Sequence, residues 1–184
     1  MPLPPPVARE PIHNRTVVCH GYRRADGLWD IEGRITDIKA YPFANAYRGT
    51  IEPGDPLHDM TIRLTLDDDL NVIDVAASSD RTPYALCPAI APAFRKLIGL
   101  RIGPGWRRAL RDRVGGVHGC THMVELLGPI ATTAFQTIAP LRKRGLEPEP
   151  DKPPAILNTC HALASDSEIV RLEWPRWYTG EDQG

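Results

Sequence analysis

The apolar residues of this chain change period part-way along it. Up to residue 77 they alternate with polar ones; from Pro88 to Leu141 they recur at intervals of three and four. Alternation puts successive side chains on opposite faces of a strand, whereas the longer interval lines one stripe of a helix. Strands first and helices later predict an α+β fold, an antiparallel sheet with helices packed on one face.

The pattern locates the elements. Residues 16–22 are rich in strand formers, and in 28–40 Trp29, Ile31 and Ile35 alternate with Asp30, Glu32 and Arg34. Arg24-Ala25-Asp26-Gly27 between them is a turn signal, so 16–40 reads as a β-hairpin. Residues 60–66 alternate again, and Asp67-Asp68-Asp69 turns the chain into 71–77, a second hairpin. Pro88 suits a first helical turn, and Phe94, Leu97 and Ile98 carry that helix to Gly99. Pro104 opens a short helix that Gly115-Gly116 stops. A long helix over 123–141 ends in Arg142-Lys143-Arg144-Gly145, where basic residues complement the helix dipole and glycine can cap. Residues 168–174 read as a last strand. The predicted organisation is a Pro-rich arm (1–12), a core domain (13–144), a Pro-rich linker or loop (145–154), and a segment (155–184) whose strand returns to the core.

A chain of 184 residues with 42% apolar and 24% charged residues is that of one soluble globular domain. A formal charge of −1 gives no global field toward nucleic acid or membrane, and neither is expected as a partner. No apolar run has transmembrane length, and the first residues have neither the basic start nor the apolar core of a signal peptide. The expected location is the cytoplasm. In that reducing compartment the scattered Cys19, Cys87, Cys120 and Cys160 are expected to be thiols or ligands rather than disulfides.

Gly119-Cys120-Thr121-His122 is the segment richest in chemistry. It sets a thiol and an imidazole two residues apart at the start of the long helix. Free backbone N–H groups there stabilise a thiolate, and both side chains suit a borderline metal. The alternative is a buried cysteine beside a capping threonine. Cys87 likewise precedes the Pro88 helix, and His58 precedes the strand at Met60. If these element ends converge at one rim, His58, Cys87, Cys120 and His122, with Asp59 as a carboxylate, would bind a metal. Glu125, three residues after His122, shares its helix face and could orient it or act as a general base. Asp30, Glu32 and Asp37 on the first hairpin are further carboxylates, either acid/base groups or the wet face of a sheet. Seven basic residues between Arg95 and Arg113 form either a solvated face or a patch for a substrate carboxylate or phosphate. Gly103-x-Gly105 lacks the context of a dinucleotide loop, so no nucleotide cofactor is expected.

Several motifs together resemble a bacterial family catalogued as a domain of unknown function. They are Gly21-Tyr22-Arg23-Arg24, the segment from Asp26 to Gly33, His58-Asp59-Met60, Gly119-Cys120-Thr121-His122, and the segment from Ala131 to Thr137. That resemblance spans residues 13–175 and implies a loose association with bacteria that degrade aromatic compounds. Residues 60–140 also resemble, more weakly, the NifU/IscU-type iron–sulfur scaffold fold. Carried over by position, Asp59, Cys87 and Cys120 match the Asp and two of the cysteines of its metal rim. The remaining cysteine position falls on Leu57, and Gly119 stands where scaffolds have a histidine.

The expected function is that of a metal-dependent enzyme acting on a small organic molecule, aromatic or carboxylate-bearing, by lyase, decarboxylase or hydrolase chemistry. Iron or zinc would sit on His58, Asp59, Cys87, Cys120 and His122. Glu125, Asp30 or Glu32 would move protons. Arg23 or Arg24 would hold a carboxylate, and Tyr22 or Trp29 would stack a ring. The alternatives are a non-enzymatic sulfur or iron–sulfur carrier, and a metal-free ligand-binding protein. The first hairpin would either cover the rim or pair with a second subunit as a homodimer.

Overall fold

The computed structural model describes residues 2–141 and 151–180. The chain divides into two compact units, Met1–Ile138 and Ala139–Gly184. The first holds a four-stranded antiparallel sheet in the order β1-β2-β5-β6. Its strands are β1 (His13–Arg23), β2 (Trp29–Lys39), β5 (Pro56–Leu66) and β6 (Val72–Arg81). Two short strands, β3 (Phe43–Asn45) and β4 (Gly49–Ile51), form a separate two-stranded sheet within the β2–β5 connection. The fold is therefore α+β, with both expected hairpins present.

Alternation governs which face of the sheet is buried. Trp29, Ile31 and Ile35 of β2 and Met60, Ile62, Leu64 and Leu66 of β5 are almost fully buried. Their odd-even neighbours, among them Asp30, Glu32, Arg34 and Arg63, are partly or fully exposed. The buried face carries α1 (Trp106–Val114) and α2 (Thr121–Ile138), which contribute Trp106, Leu110, Met123, Leu127 and Ile130 to one continuous core. Glycine lets α2 approach β2. A Cβ on Gly33 would stand 2.6 Å from Ile130 Cγ1 and 3.1 Å from Leu126 Cγ, closer than real Cβ contacts allow.

Two elements differ from expectation. The segment Cys87–Leu97 is a 3-10 rather than an α-helix. Pro88 sits in the first turn, where no N–H is needed, but Pro92 lies inside the segment and has no N–H to give to an i−4 carbonyl, so the α ladder cannot run through. Residues 168–174, expected as a strand, contain α3 (Glu168–Glu173) instead. Ser167 caps it by accepting the Val170 N–H at 3.2 Å, and Arg171 clasps Glu168 one turn back. Val170 alone is buried while Ile169 and Leu172 are exposed, so the β-branched pair never met the alternation a strand needs. No strand forms among the described residues after Ile138. The expected cap at Arg142-Lys143-Arg144-Gly145 and the linker residues 145–150 lie outside the described residues.

Candidate metal centre

The buried face of the sheet changes character at one end. Along β2 the core-facing positions run Trp29, Ile31, Gly33, Ile35 and then Asp37, which is 1% exposed. Its registered partner on β5 is His58, in phase with Met60 and Ile62; its partner on β1 is Arg15. The N-terminal turn of α2 brings His122 to the same end, just after the Cys120 carbonyl accepts the Val124 N–H at 2.9 Å.

Asp37 is the hub. Arg15 donates to it twice, Nε to Oδ1 at 2.8 Å and Nη2 to Oδ2 at 2.9 Å. His58 Nδ1 lies 3.0 Å from Oδ2, His13 Nε2 lies 3.1 Å from Oδ1, and His122 Nε2 lies 3.8 Å from Oδ2. The rings of His58 and His122 lie with centroids 3.8 Å apart, tilted by 32°. Glu125 accepts from Arg15 Nη1 at 2.8 Å and is 56% exposed at its side chain.

Protonation states follow from these neighbours. Burial alone would raise the Asp37 pKa, but the Arg15 hydrogen bonds and charge, with His13 and His58, outweigh it and hold it at about 2. Burial pushes His58 below its ordinary value; His122 lowers it further, and Asp37 only partly opposes this. His122 is lowered by burial and by the Arg15 charge. The carboxylate is therefore ionised and both imidazoles are biased to the neutral form, the states in which these groups bind a metal. Asp37, His58 and His122 each offer a ligand atom, all within 4.8 Å of one another. With Arg15 offset by Glu125, the cluster keeps the negative charge of Asp37 to receive a cation.

The other residues singled out from the sequence lie elsewhere. Asp59 is next to His58 in the chain but on the opposite face of the sheet, where Arg34 binds both its oxygens at 2.6 and 2.7 Å. Strand alternation separates the two, so they cannot ligate one ion together. Cys120 Sγ stands 3.9 Å from His122 Nδ1 and 3.9 Å from Met60 Sδ, at the cluster's edge. Cys87 and Cys120 both line an apolar groove of about 490 Å³ and are not among the three clustered ligands. Asp30 accepts from Thr65 Oγ1 at 2.7 Å, and Glu32 faces Arg63 at 3.5 Å, both on the outer face. Arg24 pairs with Asp26 at 2.7 Å and Asp30 at 3.4 Å, and Tyr22 is exposed on the same face. Trp29 cannot stack a ligand: it is 2% exposed, its Nε1 donates to Asp68 Oδ1 at 2.9 Å, and Arg23 lies over its ring. The basic residues between 95 and 113 scatter into local contacts, such as Arg95 with Asp74 and Arg101 with the Asp69 carbonyl. A charged depression of about 500 Å³ lined by Lys96, Asp112, Arg113 and His118 holds none of the cluster residues.

Fold and cluster together define an α+β protein with a buried carboxylate–bis-imidazole centre between its sheet and its long helix. The chain belongs to the family described as proteins of unknown function, DUF2889, whose model matches residues 13–136. That span contains all four strands of the main sheet, Asp37, His58 and His122. No curated protein and no solved structure matches the chain. No helix among the described residues is long and apolar enough to cross a membrane.

Sequence reasoning placed His58 and His122 in one centre but left Asp37 among the hairpin carboxylates and passed over Arg15 and His13. The signal for Asp37 was its phase. It falls on the face of Trp29, Ile31 and Ile35, where a carboxylate has no reason to be unless something holds it.

Proposed function

We propose that this protein is a metal-dependent enzyme acting on a small organic molecule, with its ion held by Asp37, His58 and His122. The supporting observation is the meeting of three ligand atoms within 4.8 Å, with Arg15 holding the Asp37 carboxylate ionised and burial pushing both imidazoles toward their neutral form. Two imidazoles and a carboxylate suit zinc or ferrous iron. The thiols of Cys87 and Cys120 lie outside the three, which favours a nitrogen- and oxygen-bound ion over a sulfur or iron–sulfur cargo. When bound, such an ion polarises a substrate oxygen or activates water, which fits lyase, decarboxylase or hydrolase chemistry.

The chain's own groups divide the remaining work. Arg15 fixes both oxygens of Asp37 and so sets the direction in which the carboxylate can bind. Glu125 is exposed beside Arg15 and can exchange a proton with solvent or substrate. The same composition that gave a neutral, span-free chain supports a cytoplasmic location, and the substrate is a small molecule rather than a nucleic acid or membrane.

Metal analysis tests this reading. Protein purified without chelator and reconstituted with zinc or ferrous iron should hold about one ion per chain. His58→Ala and His122→Ala should weaken binding by on the order of tenfold or more. Asp59→Asn, on the other face, should leave it unchanged. A wild-type chain that takes up neither ion, or an Asp59 variant as impaired as the His58 variant, would refute the assignment.

A further inference from the structure

The groove beside the cluster has a composition of its own. It measures about 490 Å³, within the usual range for small-molecule sites, and among the described residues every one lining it is uncharged. Leu86 and Val117 stand at its rim, 81% and 91% exposed, with Tyr84 between water and groove. Ile90, Cys87 and Cys120 line it further in and are only partly exposed. Apolar side chains this exposed on a shared concave surface favour an apolar occupant.

Cys120 links groove and cluster. It lines the groove, and its Sγ lies 3.9 Å from His122 Nδ1. A molecule lying among Leu86, Ile90 and Val117 against Cys120 is therefore one side chain away from His122. A charged body there would lose its hydration with no counter-charge in the lining. The charged groups of this end of the sheet, Arg15, Asp37 and Glu125, are engaged with one another.

We infer that the groove binds the uncharged apolar body of the substrate, whose polar head extends past Cys120 toward the Asp37, His58 and His122 centre. The position of the head rests on the metal-site reading; the apolar occupant rests on the groove alone. Specificity accordingly divides: the groove selects for a neutral apolar body, and the cluster selects for an oxygen-bearing head.

The two readings can be separated with 2-naphthol, an uncharged aromatic alcohol, added to the full chain both metal-loaded and chelator-stripped. In both forms the probe should slow alkylation of Cys87 and Cys120 by iodoacetamide roughly tenfold at a concentration about ten times its Kd. The rate at the exposed Cys160 should not change. Leu86→Asp and Val117→Asp alter exposed rim positions, so both variants should fold, and each should abolish most of the protection. 2-Naphthalenesulfonate should protect the stripped protein far less than 2-naphthol does. Absence of protection at both thiols, or protection that survives both rim variants, overturns the groove assignment. Metal content measured on the same samples reports on the cluster separately: protection without metal uptake retains the groove and removes the metal centre.

Discussion

Asp37 should make the metal-free protein acid-sensitive in a defined window. Its folded-state pKa is about 2 against an ordinary 3.8, because the Arg15 contacts overcome the burial that would otherwise raise it. At about 1.4 kcal/mol per unit, that difference amounts to about 2 kcal/mol of stability. The sign follows from the lowering. An unfolded chain binds this proton more readily than the folded one, so the stabilisation is fully present above about pH 5 and mostly gone by about pH 2. The perturbation is Asp37→Asn, which keeps the shape of the side chain and removes its charge. Arg15 retains Glu125 at 2.8 Å and is partly exposed, so the variant does not strand a buried cation. Urea midpoints followed by tryptophan fluorescence, on chelator-stripped protein, should show wild type ahead of the variant by about 2 kcal/mol at pH 6. The gap should close toward pH 2. A variant as stable as wild type at pH 6, or a gap undiminished at pH 2, would refute the electrostatic account; the latter would mean that packing rather than charge is responsible.

Two further substitutions probe the frame around the centre. Gly33→Ala should cost about 1–3 kcal/mol in urea unfolding, because the added methyl meets Ile130 and Leu126 where α2 crosses β2; an unchanged midpoint would mean that the helix is not seated so closely. Ser167→Ala should cost α3 about 1 kcal/mol through its N-cap, seen as faster amide exchange at Val170 and Arg171, and protection equal to wild type there would refute the cap.

How much of this was legible depends on which interactions are local in sequence. The first hairpin was readable, since the turn at Asp26-Gly27 and the alternation of Trp29, Ile31 and Ile35 lie within a few residues of one another. The pairing of Arg15 with Asp37 was only nearly within reach: counting outward from Asp26-Gly27 sets Arg15 opposite Ile38, and the observed register, centred on Asp26 alone, differs by one residue. The pairing of Asp37 with His58 was not. It depends on the β2–β5 connection, which folds into its own small sheet, and on a register shift next to Asp37. Asp59 was preferred to Asp37 because it adjoins His58 in the chain, although on a strand adjacency means opposite faces. Residues 168–174 misled for a related reason: Ile169 and Val170 have strand propensity, while the Ser167 cap and the Glu168–Arg171 pair outweigh it over so short a segment.

The strongest argument that this end of the core serves function is the abruptness of its chemistry. Moving along the buried face, β2 passes from Ile35 to Asp37 and β5 from Met60 to His58, while the exposed edge strand β1 adds Arg15 and His13 beside them. Helix α2 likewise passes from Met123 to His122. Three elements change from apolar to ionisable at one level, although apolar residues of similar size could continue the core there. Buried charge clusters seldom add stability relative to such an apolar core, since desolvation consumes most of what pairing returns. A stability requirement alone would thus not place a carboxylate and two imidazoles at the end of the core on three separate segments. The proposed metal site gives these groups a use: Asp37, His58 and His122 offer donor atoms within 4.8 Å of one another, and the groove lined by Cys120 lies beside them.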